Sequence, residues 1–403
     1  MANLWISLTE ERTLTTTSSQ TSSDAGNEPI PERRFLGRDD VNDIESILRD
    51  DETDFGQISH ATVTRGDAVF TWDYERTRPG LSKLYEKAKD SMWNGETDLD
   101  WSTDVDVEKV ASEMSGAVEQ FRRMMVSLDD SPVRLWGPKE WTEFEIEAFN
   151  WRMSQFLHGE QGALVCTAKI VVTTPWIDAK YYAAAQVMDE ARHVEVFAKY
   201  LDTKLGGSYP VNANLQMLID DVLGDPRWDI TYMGMQIMIE GLALAAFGFM
   251  HQITEEPLLK KLLRYVMSDE ARHVAFGVLS LQEYYQQLDG KEIRERQEFA
   301  FEAAIRMRDR LMMHAVWEKM GISKRAYTEM LFKVRAQGTN PFQAALFSKI
   351  VPNCKKLGLL DAGDGWLREK FTEIGVIQFE DFTDTGEEYE LLDELARDRA
   401  SAS

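Results

Sequence analysis

Two stretches of this chain carry the same six residues, Asp-Glu-Ala-Arg-His-Val, at positions 189–194 and 269–274. Each has a second glutamate 30 residues ahead of its own: Glu160 precedes Glu190, and Glu240 precedes Glu270. Both features recur after 80 residues, which marks an internal duplication. Within each copy glutamate and histidine stand at i and i+3, so Glu190 shares a helix face with His193, and Glu270 with His273. Four buried carboxylates are too costly without partners, and two divalent cations balance their charge. Carboxylates with imidazoles suit iron or manganese. The expected metal ligands are therefore Glu160, Glu190, His193, Glu240, Glu270 and His273. Asp189, Arg192, Asp269 and Arg272 are expected one layer further out. A metal-bound imidazole donates its remaining N–H to a carboxylate, and the arginine beside each aspartate is placed to fix it.

This chemistry dictates the elements around it. Thirty residues of straight helix span about 45 Å, so each pair of glutamates meets only if the chain doubles back midway. The midpoints fall at Pro175 and at Glu255, two residues before Pro257, and proline breaks helices. Helical periodicity starts near Gly80 and continues over Val105–Leu128, Glu140–Val172, Ile177–Leu205, Leu215–Leu223, Asp229–Ile253, Pro257–Leu288, Lys291–Met320 and Ser323–Val334. A turn is expected at 338–341 and a charged tail over 387–403. Strand patterning is scarce. The predicted fold is all-α, a four-helix bundle with additional N- and C-terminal helices. The expected organisation is an acidic, partly disordered region over 1–75, with a polar arm at 9–34, a metal-binding helical domain over 76–320, and a helical extension over 321–403. Helical phase sets Ala163, Leu164 and Thr167 after Glu160, and Ala243, Leu244 and Phe247 after Glu240. Phe197 and Gly277 follow the two histidines by one turn. These eight residues are the expected lining of a substrate pocket.

Composition narrows the partners. The chain has 403 residues, 43% of them hydrophobic, and a formal net charge of −24. That charge repels phosphate backbones and anionic lipid, so neither nucleic acid nor a membrane surface is an expected partner. Met233–Met250 is apolar enough to suggest a membrane span, but Glu240 sits near its centre, and a buried bundle helix is the better reading. Cys166 and Cys354 are the only cysteines, which excludes a disulfide framework. Asn3–Leu8 is too short for the apolar core of a secretory signal. A reducing, cytoplasmic location is expected.

With these motifs in place, the sequence resembles the ferritin-like di-iron carboxylate superfamily, in which a glutamate from each of two helices meets a Glu-x-x-His pair from each of the other two. It is most similar to the oxygenase branch, which includes p-aminobenzoate N-oxygenase, benzoyl-CoA epoxidase and the hydroxylase subunits of multicomponent monooxygenases. The likeness covers roughly residues 140 to 285, and Leu84–Trp101, with its Trp93-Asn94 pair, is similar to helices preceding the bundle in some members. The resemblance implies two iron ions (or a manganese/iron or manganese pair), dioxygen as co-substrate, a small organic substrate, a ferredoxin or flavin reductase as electron donor, and a homodimer. It implies no single reaction. The extra histidine of arylamine N-oxygenases is replaced by Val266, the threonine of the monooxygenase hydroxylases by Leu244, and the radical tyrosine of ribonucleotide reductase small subunits by Phe197. The expected activity is hydroxylation, N-oxygenation or another oxidation. A radical-generating subunit similar to that of ribonucleotide reductase and a non-enzymatic iron-binding protein are the alternatives.

Overall fold

In the computed structural model, residues 38–116, 119–335 and 341–382 are described. The expectations for 9–34, 338–340 and 387–403 lie outside them. The N-terminal helices are α1 (Ile44–Asp50), α2 (Pro79–Asp90), α3 (Val107–Gly116) and α4 (Glu119–Ser127). The last two fall where the periodicity suggests one helix. Between α1 and α2 the chain is extended and lies over the first hairpin, with Val69 N–H donating to the Val172 carbonyl and Thr71 Oγ1 to the Pro175 carbonyl.

The long hairpins follow. Helix α5 (Pro138–Thr173) begins with proline in its first turn, where no N–H is needed, and the Glu140 carboxylate accepts from the Gly137 N–H at 2.9 Å. Helix α6 (Ile177–Tyr200) runs back beside it and ends in a π-helical turn, Leu201–Leu205, closed by Gly206 at φ 76°. Helix α7 (Ala213–Gly224), capped by Asn212, crosses to the second hairpin. There α8 (Trp228–Tyr232), a π-helical stretch at Met233–Ile239 and α9 (Glu240–Ile253) form one rod. Helix α10 (Pro257–Tyr285) returns, its first amides held by the Glu256 carboxylate.

The duplication extends to the turns. Thr174 and Thr254, 80 residues apart, both leave their helix in extended conformation, and their N–H groups close onto Ile170 and Met250. Each leading glutamate lies 14 residues before its threonine and each hexapeptide glutamate 16 after it. At about 1.5 Å per residue all four carboxylates therefore reach one level, some 21–24 Å from the turns.

The C-terminal helices are α11 (Gly290–Asp309), α12 (His314–Lys319), α13 (Lys324–Arg335), α14 (Pro341–Lys356) and α15 (Trp366–Glu373). The single helix expected over Lys291–Met320 is broken. A 3₁₀ turn at Arg310–Met312 leads to Met313 at φ 52°, a left-handed conformation that costs a non-glycine residue roughly 1–2 kcal/mol. Tertiary contacts hold it: His314 is buried between the Asp51 carboxylate and Thr328 Oγ1. Helix α14 puts Ile350, Val351 and Cys354 into the same core as α9 and α10, so the C-terminal helices share the bundle's interior.

The Trp228–Ile253 rod is 89% buried in its most apolar window, so protein covers the membrane-like stretch. A second aromatic core joins Phe144, Trp317 and Tyr327, with centroid spacings of 4.3 Å from Trp317 to each of the other two. The described residues contain no strand. The architecture is an all-α four-helix bundle (α5, α6, α9 with its π-helical lead, and α10) with additional helices before and after it.

Candidate metal centre

The two hairpins bring Glu160, Glu190, His193, Glu240, Glu270 and His273 to one place in the bundle interior, none more than 4% exposed. They form two groups. Glu160, Glu190, His193 and Glu270 each offer a ligand atom within 4.8 Å of the others, and so do Glu190, Glu240 and His273. His193 Nδ1 lies 3.2 Å from Glu160, 3.6 Å from Glu190 Oε2 and 3.1 Å from Glu270 Oε1. His273 Nδ1 lies 3.2 Å from Glu190 Oε1, 3.4 Å from Glu240 and 3.0 Å from Glu270 Oε2. Glu190 and Glu270 thus turn one oxygen to each imidazole, the geometry of bridging ligands. Glu160 and Glu240 each serve one side.

Both imidazoles present Nδ1 to the centre and Nε2 outward, and the outward contacts cross between hairpins. His193 Nε2 is 3.1 Å from Asp269, on α10, and His273 Nε2 is 3.4 Å from Asp189, on α6. Arg192 donates to Asp189 and, at 3.3 Å, to Asp269. Arg272 donates to Asp269 and stands 3.7 Å from Asp189. Two carboxylates and two guanidiniums form a closed, neutral square that ties α6 to α10. Trp93 joins it, its indole N–H donating to Asp269 at 2.8 Å while its ring stacks on Tyr265 at 4.9 Å and lies under Arg192.

Sequence reasoning missed Gln186 and Gln236. Gln186 Nε2 donates to Glu190 at 2.9 Å, to Gln236 at 3.1 Å and to Glu240 at 3.2 Å, and Gln236 returns a bond at 3.0 Å. Each glutamine lies four residues before a ligand glutamate, on its face. The duplicated positions are Val266 and Phe156, so a search by repeat passes over them. Gln236 sits in the π-helical stretch that leads into Glu240, and such turns occur often at functional sites. Gly277 makes room for it: a Cβ there would lie 2.4 Å from Gln236 Cβ. Gly277→Ala is expected to cost about 1–3 kcal/mol through overpacking and to loosen metal binding by displacing Gln236. Denaturant unfolding and a metal titration check both. An unchanged stability contradicts the close approach.

The electrostatics call for cations. Burial, with the nearby Glu270 charge, pushes the Glu160 carboxyl up to about 8. Burial and the Glu190 and Glu270 charges likewise drive Glu240 well above the usual carboxylate range. Burial opposes protonation of the imidazoles, but the surrounding carboxylates prevail: His273 rises to about 10 and His193 well above its ordinary value. Glu190 Oε2 and Glu270 Oε1 are buried without a hydrogen-bond partner, a state that is expensive for carboxylate oxygens. Without metal, the cluster persists only by holding protons, so these residues fit a pair of divalent ions. Metal binding must then expel protons. Apparent affinity is expected to rise with pH through about 8, where Glu160 loses its proton unaided, and on toward 10, where His273 does. The metal-free protein is expected to move the other way. Stability from a histidine raised to about 10 is complete below its unfolded value near 6.5 and fades as pH climbs toward 10. Titration calorimetry in buffers of different ionisation enthalpy reads the released protons, and a pH-independent affinity contradicts the assignment.

A small cavity of about 20 Å³, lined in part by Glu160 and Glu240, lies between α5 and α9. Of the eight residues expected to line a pocket, Ala163 and Ala243 line this one, together with Phe156, Ile239 and Leu242. Phe197 and Phe247 stack on each other at 5.5 Å and pack against Phe156 behind the cavity. Gly277 faces Gln236, Leu164 is half-buried, and Thr167 and Leu244 are buried away from the cavity wall. Helical phase gives the side of a helix, and the partner helices decide where space remains.

No family model matches the chain, and no curated protein does. Among solved structures it is similar to an R2-like ligand-binding oxidase with an aerobically reconstituted metal cofactor, at 16% identity and a TM-score of 0.46, over 71% of this chain and 94% of that one. It is also similar to the Mn/Fe-reconstituted form of an R2-like ligand-binding oxidase, at 18% identity and a TM-score of 0.43, over 67% and 95%. These likenesses are too distant to carry the reading of the site, which rests on the residues described above.

Proposed function

We propose that this chain is a dimetal oxidoreductase that activates dioxygen to oxidise a small organic molecule. The supporting observation is the pair of ligand groups that share Glu190 and lie against a small, largely apolar cavity. Two iron ions are the proposed cofactor, with a manganese/iron or manganese pair as the variants the same ligands accept. When bound, such ions supply the reduction of dioxygen and the oxidation of substrate.

The chain's own residues divide the remaining work. Glu190 and Glu270 hold both sides of the centre at a fixed spacing. Asp189 and Asp269 set the tautomer of the two imidazoles by accepting their Nε2 protons. Gln186 steadies Glu190 and Glu240. Phe156, Ile239 and Leu242 keep water from the open side of Glu160 and Glu240. Trp93, bonded to Asp269 and through it to His193, gives electrons a short route inward from Tyr265, which is half-buried. Turnover takes two electrons, which a ferredoxin or flavin reductase would supply. A cytoplasmic homodimer that hydroxylates or N-oxygenates its substrate completes the proposal. The test is to load the metal-free protein with two ferrous ions per chain under nitrogen and admit oxygen. Oxygen uptake is expected to outpace that of the same ferrous ion free in buffer and to vanish in His273→Ala. Uptake no faster than in buffer contradicts the proposal.

A further inference from the structure

The duplicated hairpins can be compared on their outer faces as well as at the metal centre. On α10 the outward positions ahead of the ligands are Lys261, Arg264 and Ser268, a polar surface suited to water. The counterparts of Arg264 and Ser268 on α6 are Ala184 and Met188, both exposed, with Ala191 one turn further on. On α5 the exposed positions between Glu160 and the turn are Gln161, Val165, Ala168 and Val172. Its copy α9 has Ala245 at the place of Val165, buried in the core that α14 completes, and exposed, polar Gln252 at the place of Val172. The second hairpin is thus covered or polar outside. The first is apolar, and among the described residues nothing covers Val165, Val172 or Met188, which are 47%, 48% and 57% exposed.

The extended strap over the hairpin continues this face. Val69 and Thr71 are half-buried and bond to the end of α5 and its turn. An extended chain alternates its side chains, so Phe70 and Trp72 turn outward, 72% and 75% exposed, and stack on each other at 5.4 Å beside Val172. Scattered apolar side chains at a surface are ordinary, but a contiguous face marks an interface. This one runs about 17 Å along the helices and about 20 Å across them, with about 20 Å of strap beside it. A corrugated area of that extent is on the scale of the roughly 800 Å² that each partner of a stable dimer buries. Charge selects the occupant. From Gln161 to Ala191 no exposed position is acidic, in a chain with 69 aspartates and glutamates and a net charge of −24. Two copies repel wherever carboxylates meet, and on this face they do not.

We propose that this face seats a second copy of the chain. Two α5–α6 hairpins pack across a two-fold axis, which uses the same patch twice. Val165, Val172 and Met188 are the ridges, the alanines between them let the helices approach, and Phe70 and Trp72 of each strap lie at the edge. This rests on the homodimer proposed for the chain and not on its metal chemistry.

The test is analytical ultracentrifugation of the full chain. The wild type is expected to sediment as a dimer at about 10 μM. Val165→Glu with Met188→Glu should weaken the dimer at least about 100-fold, because it sets carboxylates against each other in a desolvated contact. Val172→Ser with Met188→Ser, which adds no charge, should weaken it at least about tenfold. Leu135→Glu, at a 95% exposed position outside the face, should leave it intact. Raising salt from about 0.05 to about 0.5 M should tighten the dimer, since screening removes repulsion while the apolar contact remains. A monomeric wild type, a dimer that survives both pairs of substitutions, one that Leu135→Glu dissociates equally, or one that salt dissociates overturns the assignment. Sedimentation reads association and metal analysis reads the centre, so failure of one leaves the other standing.

Discussion

Glu190→Ala is expected to leave the protein unable to retain a metal pair, with less than one ion per chain after dialysis, and to abolish oxygen uptake. Glu190 is the residue common to both ligand groups, with Oε2 toward His193 and Oε1 toward His273. Its loss weakens both sides at once, whereas Glu160→Ala removes one ligand from one side. Metal-free protein should be affected far less. There Glu190 adds to the repulsion that raises Glu160 and Glu240 but also supports protonated His273 and accepts from Gln186, so Glu190→Ala should stay folded without metal, with a midpoint near that of the wild type. The wild type should gain stability on adding metal, because a ligand that binds only the folded state stabilises it by mass action, and the variant should not. Mass spectrometric metal analysis and thermal unfolding with and without ferrous ion read these outcomes. Two ions retained in the variant, or a collapsed metal-free fold, contradict the bridging role.

The second large effect is expected from Asp269→Ala, outside the ligand set. Asp269 accepts from Trp93, His193, Arg192 and Arg272 while 1% exposed. Burial would raise its carboxyl, but the His193 hydrogen bond and the Arg272 charge hold it well below the usual range. Removing it leaves two buried guanidiniums sharing Asp189, an indole N–H without an acceptor, and His193 without its orienting partner. Breaking a buried ion pair from one side costs about 3–5 kcal/mol, and losing an outer partner of a metal-bound histidine costs about 10–100-fold in affinity. Asp269→Asn, which keeps one acceptor, should fall between. Denaturant unfolding of the metal-free forms isolates the first effect and a metal titration the second. Wild-type stability in Asp269→Ala means the square of charges contributes nothing to the fold.

How much of this was legible in the sequence follows from which features are local. The hairpins were legible because duplication, an 80-residue offset and helix breakers near both midpoints are all local signals. The shared Thr174 and Thr254 caps show that the repeat encodes the turn as well as the ligands. The crossed partners were not legible. Asp189 lies next to Glu190 in sequence, yet it serves His273 on the opposite hairpin, because antiparallel packing of α6 against α10 sets each aspartate opposite the other's histidine. Gln186 and Gln236 escaped because they break the repeat. The π-helical stretch before Glu240 likewise has no proline to announce it, only close packing of Gly234 and Gly277 against their neighbours.

The claim that two hairpins hold two metal ions between shared carboxylates is tested most directly by anomalous X-ray scattering at the iron edge, from crystals of the full chain loaded with ferrous ion under nitrogen. Two peaks are expected, one against His193 Nδ1 and one against His273 Nδ1, with Glu190 and Glu270 between them. A single peak, or iron away from these six residues, would contradict it.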